Sequence, residues 1–327
     1  SHLIFLPKGT VEFNDFNKWG SINVLLLRGC RMEKVIGYLG LGNMGHPMAM
    51  RIADAGHKLL VFDINENVLN DFKERQISIA SSIRDLADKA DIVICSLPSN
   101  EIIREAVIGS EGLIAGNKIK IFINACTTGS IFASEISDAL LKKGIATLEA
   151  PISGGPPGAR AGTLSIMASG PLEAYEEVKP ILEAYGSKFV FCGERPGLAQ
   201  VLKLANNILF ATSIFATTEA IAMGVKAGLD PSLMLDAIQA GTGRNATTDL
   251  LMPSSVLTRS FDFGATIEIL MKDVNLALEE GEKQGVPQPV SQQVRQMMLL
   301  AMHKGWQQRD LSELVKLVED WGNVEIK

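Results

Sequence analysis

A lysine that shares a helical face with two amides is the arrangement in this sequence with the clearest chemical use. It lies in Gly197-Leu198-Ala199-Gln200-Val201-Leu202-Lys203-Leu204-Ala205-Asn206-Asn207-Ile208-Leu209-Phe210, where most of the remaining residues are apolar. A helix of that composition is expected to be buried on most sides. At helical periodicity Gln200, Lys203 and Asn207 fall within about 60° of one another. Burial disfavours the charged form of a lysine and lowers its pKa from a reference of about 10.4. A lysine tuned in this way can exchange a proton with a hydroxyl near neutral pH. Periodicity alone leaves a second use open, a lysine that snorkels to the surface.

Two glycine-rich segments offer complementary chemistry. Gly40-Leu41-Gly42-Asn43-Met44-Gly45 follows the strand-like run Val35-Ile36-Gly37-Tyr38-Leu39 and opens a helical stretch to about Ala55. In that context the first glycine permits the tight turn and the second lets a pyrophosphate approach the backbone. The third lets helix and strand pack closely. The helix N-terminus then presents free N–H groups to the phosphates. Asp63 closes the next strand-like run about twenty residues on, where a carboxylate suits the ribose hydroxyls of NAD and repels the extra phosphate of NADP. No arginine in the next few positions offsets that repulsion. The expected cofactor is therefore NAD, the alternative being that Asp63 merely caps the following helix. Further on, Ser153, Gly154 and Gly155 offer a hydroxyl and two unobstructed N–H groups that can converge on a carboxylate.

These residues need a scaffold, and the hydropathy pattern supplies one. From Lys34 to about Cys192, short β-rich apolar runs alternate with helical stretches. Lys58–Phe62, Ile92–Cys95 and Lys120–Ile123 follow the first run. Continuous apolar strands between helices predict a parallel sheet covered on both faces. The runs at residues 146–150, 164–168 and 188–192 are expected to extend the same sheet. Beyond Pro196-Gly197 the strand signals stop, and helical stretches run to about Trp321. The fold expected is α/β, a Rossmann-type doubly wound parallel sheet with a C-terminal all-α domain. A length of 327 residues suits two domains. They are a dinucleotide-binding domain over residues 32–195 and a helical substrate and oligomerisation domain over 196–327. Residues 1–31 look unlike the rest, and Met32 directly precedes the first convincing strand. They read as a tag or upstream extension.

Composition narrows the partners. A net charge of −6 gives no reason to expect nucleic acid or an acidic membrane surface. The apolar run at residues 208–225 is interrupted by Thr212, Ser213, Thr217, Thr218 and Glu219. It falls short of the roughly 20 uninterrupted apolar residues of a membrane helix, so a buried helix is expected and no membrane partner. Cys30, Cys95, Cys126 and Cys192 lack CxxC spacing, and the histidines show no ligand spacing. No metal site and a reduced, cytoplasmic setting are expected.

Taken in order, these motifs make residues 34–321 resemble the β-hydroxyacid dehydrogenase family, of the 3-hydroxyisobutyrate dehydrogenase type. Gly37 to Ala49 is similar to the family's cofactor opening, with Asn43 and Met44 in the turn against the dinucleotide. Leu97-Pro98 matches the loop that borders the cofactor. Glu149-Ala150-Pro151-Ile152-Ser153-Gly154-Gly155, followed by Gly158-Ala159 and Gly162-Thr163-Leu164, is similar to the substrate loop. The resemblance implies a catalytic lysine at Lys203 and a substrate-holding amide at Asn207. It also implies a substrate carboxylate on Ser153, Gly154 and Gly155, and cofactor-side positions at Thr127 and at Lys272 of the Lys272-Asp273 pair.

The activity implied is reversible oxidation of a short 3-hydroxy acid with NAD, in a homodimer or homotetramer. A reductase of tartronate semialdehyde or a related small aldehyde acid is the alternative. A non-catalytic interaction protein on this fold would be expected to lose Lys203, an imine reductase usually lacks it, and a 6-phosphogluconate dehydrogenase carries His-Asn in place of Asn206-Asn207. Arg244, Asn245 and Asp249 are expected to shape the pocket around the rest of the substrate. The sequence also departs from the family pattern. Asn124-Ala125-Cys126-Thr127 stands for Asp-x-Ser-Thr and Ser130 for a proline, while Glu149 replaces an aspartate and Ala199 a glycine.

Overall fold

The computed structural model describes residues 34–327, so the expectation for residues 1–31 lies outside the described residues. Six short strands pair in parallel: β1 (Val35–Leu39), β2 (Lys58–Phe62), β3 (Ser78–Ile79), β4 (Ile92–Cys95), β5 (Ile121–Asn124) and β6 (Ala146–Glu149). Parallel neighbours cannot be joined by hairpins. The connections accordingly carry α1 (Gly45–Asp54), α2 (Asn70–Glu74), α3 (Ile83–Lys89), α4 (Asn100–Ile108) and α5 (Ser130–Leu141).

Alternate strand residues point to opposite faces, and here both faces are covered. Ile36, Tyr38, Ile92, Ile94 and Ile123 share a core with Met48 and Ile52 of α1. Leu39, Val93, Cys95 and Phe122 pack instead with Leu86, Ile103 and Ile136 of α3, α4 and α5. Double coverage is why these strands read as continuous apolar runs instead of alternating ones. The strand order is β3-β2-β1-β4-β5-β6. It reverses between β1 and β4, which opens a crevice at their carboxyl ends. The Gly40–Gly45 turn leaves β1 at that crevice, and Leu97-Pro98 leaves β4 beside it.

The later strands depart from the expectation. β6 joins the parallel sheet, but residues 164–168 and 188–192 do not extend it. β7 (Ile152–Ser153), β8 (Leu164–Ala168) and β9 (Gly186–Phe191) form a separate three-stranded sheet. β7 runs antiparallel to β8, with Ile152 opposite Ile166 and Ser153 opposite Ser165. α6 (Gly155–Ala161) and α7 (Leu172–Leu182) complete this region. The chain turns back after Pro151, so β8 is taken up by β7 on one side and β9 on the other. An apolar run indicates that a segment pairs, but not which edge it joins.

The helical part begins with α8 (Leu198–Lys226), 29 residues long. It continues through α9 (Pro231–Ala240), a π-helical segment at Thr247–Val256, α10 (Ile267–Lys283), α11 (Pro289–His303) and α12 (Val315–Gly322). Ile214, Phe215 and Ile221 of α8 share a core with Val274 of α10, Met298 of α11 and Val315 of α12. The expected burial on most sides is broken by one exposed stripe, on which Leu209 and Met223 are each 71% exposed. Among the described residues α8 alone is long and apolar enough, by length and composition, to cross a membrane. The polar residues that interrupt its apolar run do not remove that property.

Candidate active site

The glycine turn after β1 is built for close approach. Gly40 adopts a φ of 91°, and a side chain there would place its Cβ 2.3 Å from the Ser96 carbonyl. At Gly45, the first residue of α1, a Cβ would sit 2.0 Å from the Gly40 carbonyl oxygen. Gly42 is different, because its Cβ would meet nothing within 4 Å. The turn is therefore closed against the protein at both ends and open at its middle. Asn43 is exposed there, whereas Met44 is half-buried against the sheet core. The N-terminus of α1 has no side-chain cap and no acidic residue in its first turn, which leaves its positive end to an anion.

Asp63 stands against the same turn. Its carboxylate accepts the N–H of Leu41 at 2.6 Å and that of Asn65 at 2.8 Å. It does not cap the next helical turn, since the side chain of Asn65 does so. The four lone-pair sites of a carboxylate leave acceptor capacity for a diol. Across the crevice, the Leu97 N–H donates to Cys126 Sγ at 3.2 Å, which ties the Leu97-Pro98 loop to the end of β5. An open glycine, an uncapped helix terminus and an adjacent carboxylate fit a dinucleotide.

Lys203 lies in the first turns of α8 and is 7% exposed, so nearly all of its side chain is buried. Among the described residues its ammonium makes no hydrogen bond. Burial pushes its pKa down to about 8; nearby Asp273 opposes that shift and Lys272 adds to it. One turn further along α8, Asn207 Nδ2 donates to Asp273 Oδ2 at 2.6 Å. Asp273 Oδ1 accepts from Lys272 Nζ at 2.8 Å, and the same ammonium donates to the Thr127 carbonyl at 2.7 Å. Asn207, Asp273, Lys272 and Thr127 thus form one chain from α8 through α10 to the loop after β5. Lys272 is a bonded strut here and not a solvated charge. The sequence singled out Lys272 and left Asp273 without a function. Its signal was adjacency to Lys272, but its link to Asn207 spans 66 positions.

A second network holds the opposite side of that loop. Asn124 and Glu149 are register partners at the ends of β5 and β6, and Asn124 Nδ2 donates to Glu149 Oε2 at 2.9 Å. Gln200 Nε2 donates to the same oxygen and to the Cys126 carbonyl, while Gln200 Oε1 accepts the Thr128 N–H. Two carboxylates in this registered pair would repel each other. With asparagine at 124, one partner donates and the other accepts. Glu149 is 1% exposed with no cation beside it, and burial raises its pKa to about 7, against the pull of Gln200 and Asn124. At Ser130 the hydroxyl bonds both Glu280 and Lys283 of α10, links that a proline could not make.

Other expected residues lie apart from these networks. Ser153 ends β7, and Gly154 and Gly155 adopt φ of 128° and 62° as the chain turns into α6. Among the described residues, none of the three makes a hydrogen bond to Lys203, Asn207 or Lys272. Asn245 accepts the N–H groups of Thr247 and Thr248 and donates to Thr217 of α8, and Asp249 accepts from Gln239. Arg244 is exposed.

Strand order, turn and helix terminus together define a Rossmann-type dinucleotide-binding protein, with a buried lysine on the helix that follows the sheets. Residues 35–193 match the model for the NAD binding domain of 6-phosphogluconate dehydrogenase. Residues 197–318 match that for the NAD-binding region of NADP-dependent 3-hydroxyisobutyrate dehydrogenase. A 3-hydroxyisobutyrate dehydrogenase of Pseudomonas aeruginosa is 33% identical, over 86% of this chain and 97% of its own. An NAD-dependent L-serine dehydrogenase of the same organism is 32% identical, over 88% and 98%. The solved Mycobacterium tuberculosis 3-hydroxyisobutyrate dehydrogenase, determined with L-serine, superimposes with a TM-score of 0.80. Its identity is 27%, covering 88% of this chain and 99% of that one. The chain belongs to the β-hydroxyacid dehydrogenase family.

Proposed function

We propose that this member of the family is an NAD-dependent dehydrogenase that oxidises the β-carbon hydroxyl of a short 3-hydroxy acid, with Lys203 as the proton acceptor. The observation that carries this reading is the buried Lys203 side chain, its ammonium without a hydrogen bond among the described residues, beside the Asn207–Asp273–Lys272 chain. The names of the similar enzymes support the substrate class, since 3-hydroxyisobutyrate and L-serine are both 3-hydroxy carboxylates.

Bound NAD supplies the hydride acceptor. Lys203, in its neutral form, takes the hydroxyl proton, and in the reducing direction its charged form returns it. Asn207 orients the hydroxyl, with its amide fixed by Asp273. Ser153 and the N–H groups of Gly154 and Gly155 hold the carboxylate, with no side chain at 154 or 155 to obstruct it. What the protein contributes is alignment and a proton partner.

A panel of short 3-hydroxy acids and their 2-hydroxy isomers, assayed with NAD and with NADP through the absorbance of the reduced nicotinamide, tests this reading. Turnover is expected for 3-hydroxy acids only, with higher kcat/KM for NAD than for NADP. Asp63→Ala should narrow the gap between the cofactors, because it removes the carboxylate that repels a 2′-phosphate. Equal or better efficiency with NADP in the unaltered protein would refute the cofactor preference. Turnover confined to 2-hydroxy acids would refute the substrate class.

A further inference from the structure

Glu149 takes no part in the proton or hydride steps above, yet it is the most enclosed acid among the described residues. Its Oε2 collects two side-chain N–H groups, from Asn124 and Gln200, while its Oε1 has no partner. Oε2 serves as the acceptor for both amides, so it turns their NH₂ ends toward itself. Their oxygens are thereby turned toward the loop after β5. Asn124 Oδ1 accepts the Cys126 N–H at 3.1 Å, and Gln200 Oε1 accepts the Thr128 N–H at 2.9 Å. Between those two anchored residues lies Thr127, whose carbonyl receives Lys272. Gln200 stands one helical turn before Lys203 on the same face of α8. A single acid therefore joins the end of the parallel sheet, the loop on the cofactor side and the helix that carries the lysine.

We propose that Glu149 is a positioning residue that fixes the spacing between the Cys126–Thr128 loop and Lys203 through Asn124 and Gln200. The proposal rests on the dehydrogenase reading for its kinetic consequence, but the anchoring of the loop is measurable without turnover. Hydride transfer is sensitive to such spacing, since a displacement of about 1 Å can cost roughly 10²-fold in rate.

The test uses the full chain with Glu149→Asp, which withdraws the carboxylate by one methylene, and Glu149→Gln, which keeps an acceptor at the same reach. Two readouts are needed: native-state hydrogen exchange at the Cys126 and Thr128 amides, and kcat, KM and the deuterium isotope effect on kcat for the best 3-hydroxy acid. In Glu149→Asp both amides should exchange at least about tenfold faster, as expected for the loss of hydrogen-bonded protection in one local unit. The kcat should fall roughly 10- to 100-fold with a larger isotope effect and little change in KM. Glu149→Gln should recover most of both. Exchange that is unchanged in Glu149→Asp overturns the proposal. So does a loss of activity fully explained by less folded protein, with kcat per folded molecule and the isotope effect unaltered. If the unaltered chain oxidises no 3-hydroxy acid, the functional reading fails by itself, and the exchange result alone decides the anchoring by Glu149.

Discussion

Lys203→Ala should lower kcat by about 10²–10⁴-fold, the usual contribution of a positioned acid–base group, while the Kd for NAD stays close to that of the unaltered protein. The separation follows from geometry. Lys203 lies on α8, whereas the glycine turn, the uncapped end of α1 and Asp63 lie at the carboxyl ends of β1 and β2. Lys203→Arg should not restore turnover, because a guanidinium stays protonated and cannot accept a proton near neutral pH. Lys203→Met keeps much of the stem and removes an ammonium that has no hydrogen-bond partner. Burial disfavours the charged form of Lys203 more than Asp273 restores it, so the Tm of this variant should be no lower than that of the unaltered chain. Steady-state kinetics, cofactor titration and a thermal melt check these points separately. A Lys203→Ala protein with near-normal turnover would make the lysine structural and remove the proposed mechanism.

Gly42→Val should abolish cofactor binding without disturbing the fold. A Cβ at this position meets nothing within 4 Å, so the change in Tm should be negligible. The added side chain would instead fill the space that a pyrophosphate needs in order to reach the turn. Losing two charge-assisted hydrogen bonds, at ~1.5–3 kcal/mol each, weakens binding by roughly 100-fold or more. Gly45→Val is the informative contrast. Its Cβ would collide with the Gly40 carbonyl, and overpacking of that kind costs about 1–3 kcal/mol or more. Calorimetric titration with NAD beside a thermal melt distinguishes the two. A Gly42→Val protein that binds NAD normally would move the pyrophosphate away from this turn.

The parts of this molecule that were legible in the sequence are those set by local periodicity. β1, β2, β4 and β5 announce themselves as apolar runs because both faces of each are covered, and the glycine turn is placed by the strand before it. Gln200, Lys203 and Asn207 share a face because a helix has one period along its length. The parts that were not legible depend on pairing between distant segments. Residues 164–168 look like a strand of the main sheet, but their partners are β7 and β9, and apolar content carries no record of that choice. The exposed side of α8 was missed for a related reason, since composition does not say which neighbours cover a helix. Glu149 stood out only as a departure from a family pattern. Its importance to the site comes from bonds to residues 25 and 51 positions away, which exist only once β5, β6 and α8 are in register.

The pH dependence of kcat/KM, measured in both directions, tests the central claim most directly, because it reports the ionisation of the free enzyme's essential groups. Burial brings Lys203 down to about 8, and the two directions require opposite forms of it. Oxidation of the hydroxy acid needs the neutral amine, so its kcat/KM should rise with pH and level off above about 8. Reduction needs the charged form and should fall over the same range. Both inflections should disappear from the residual activity of Lys203→Ala. Inflections that persist in that variant, or an oxidation rate that falls as pH rises through this range, would contradict the assignment of Lys203 as the proton-transfer group.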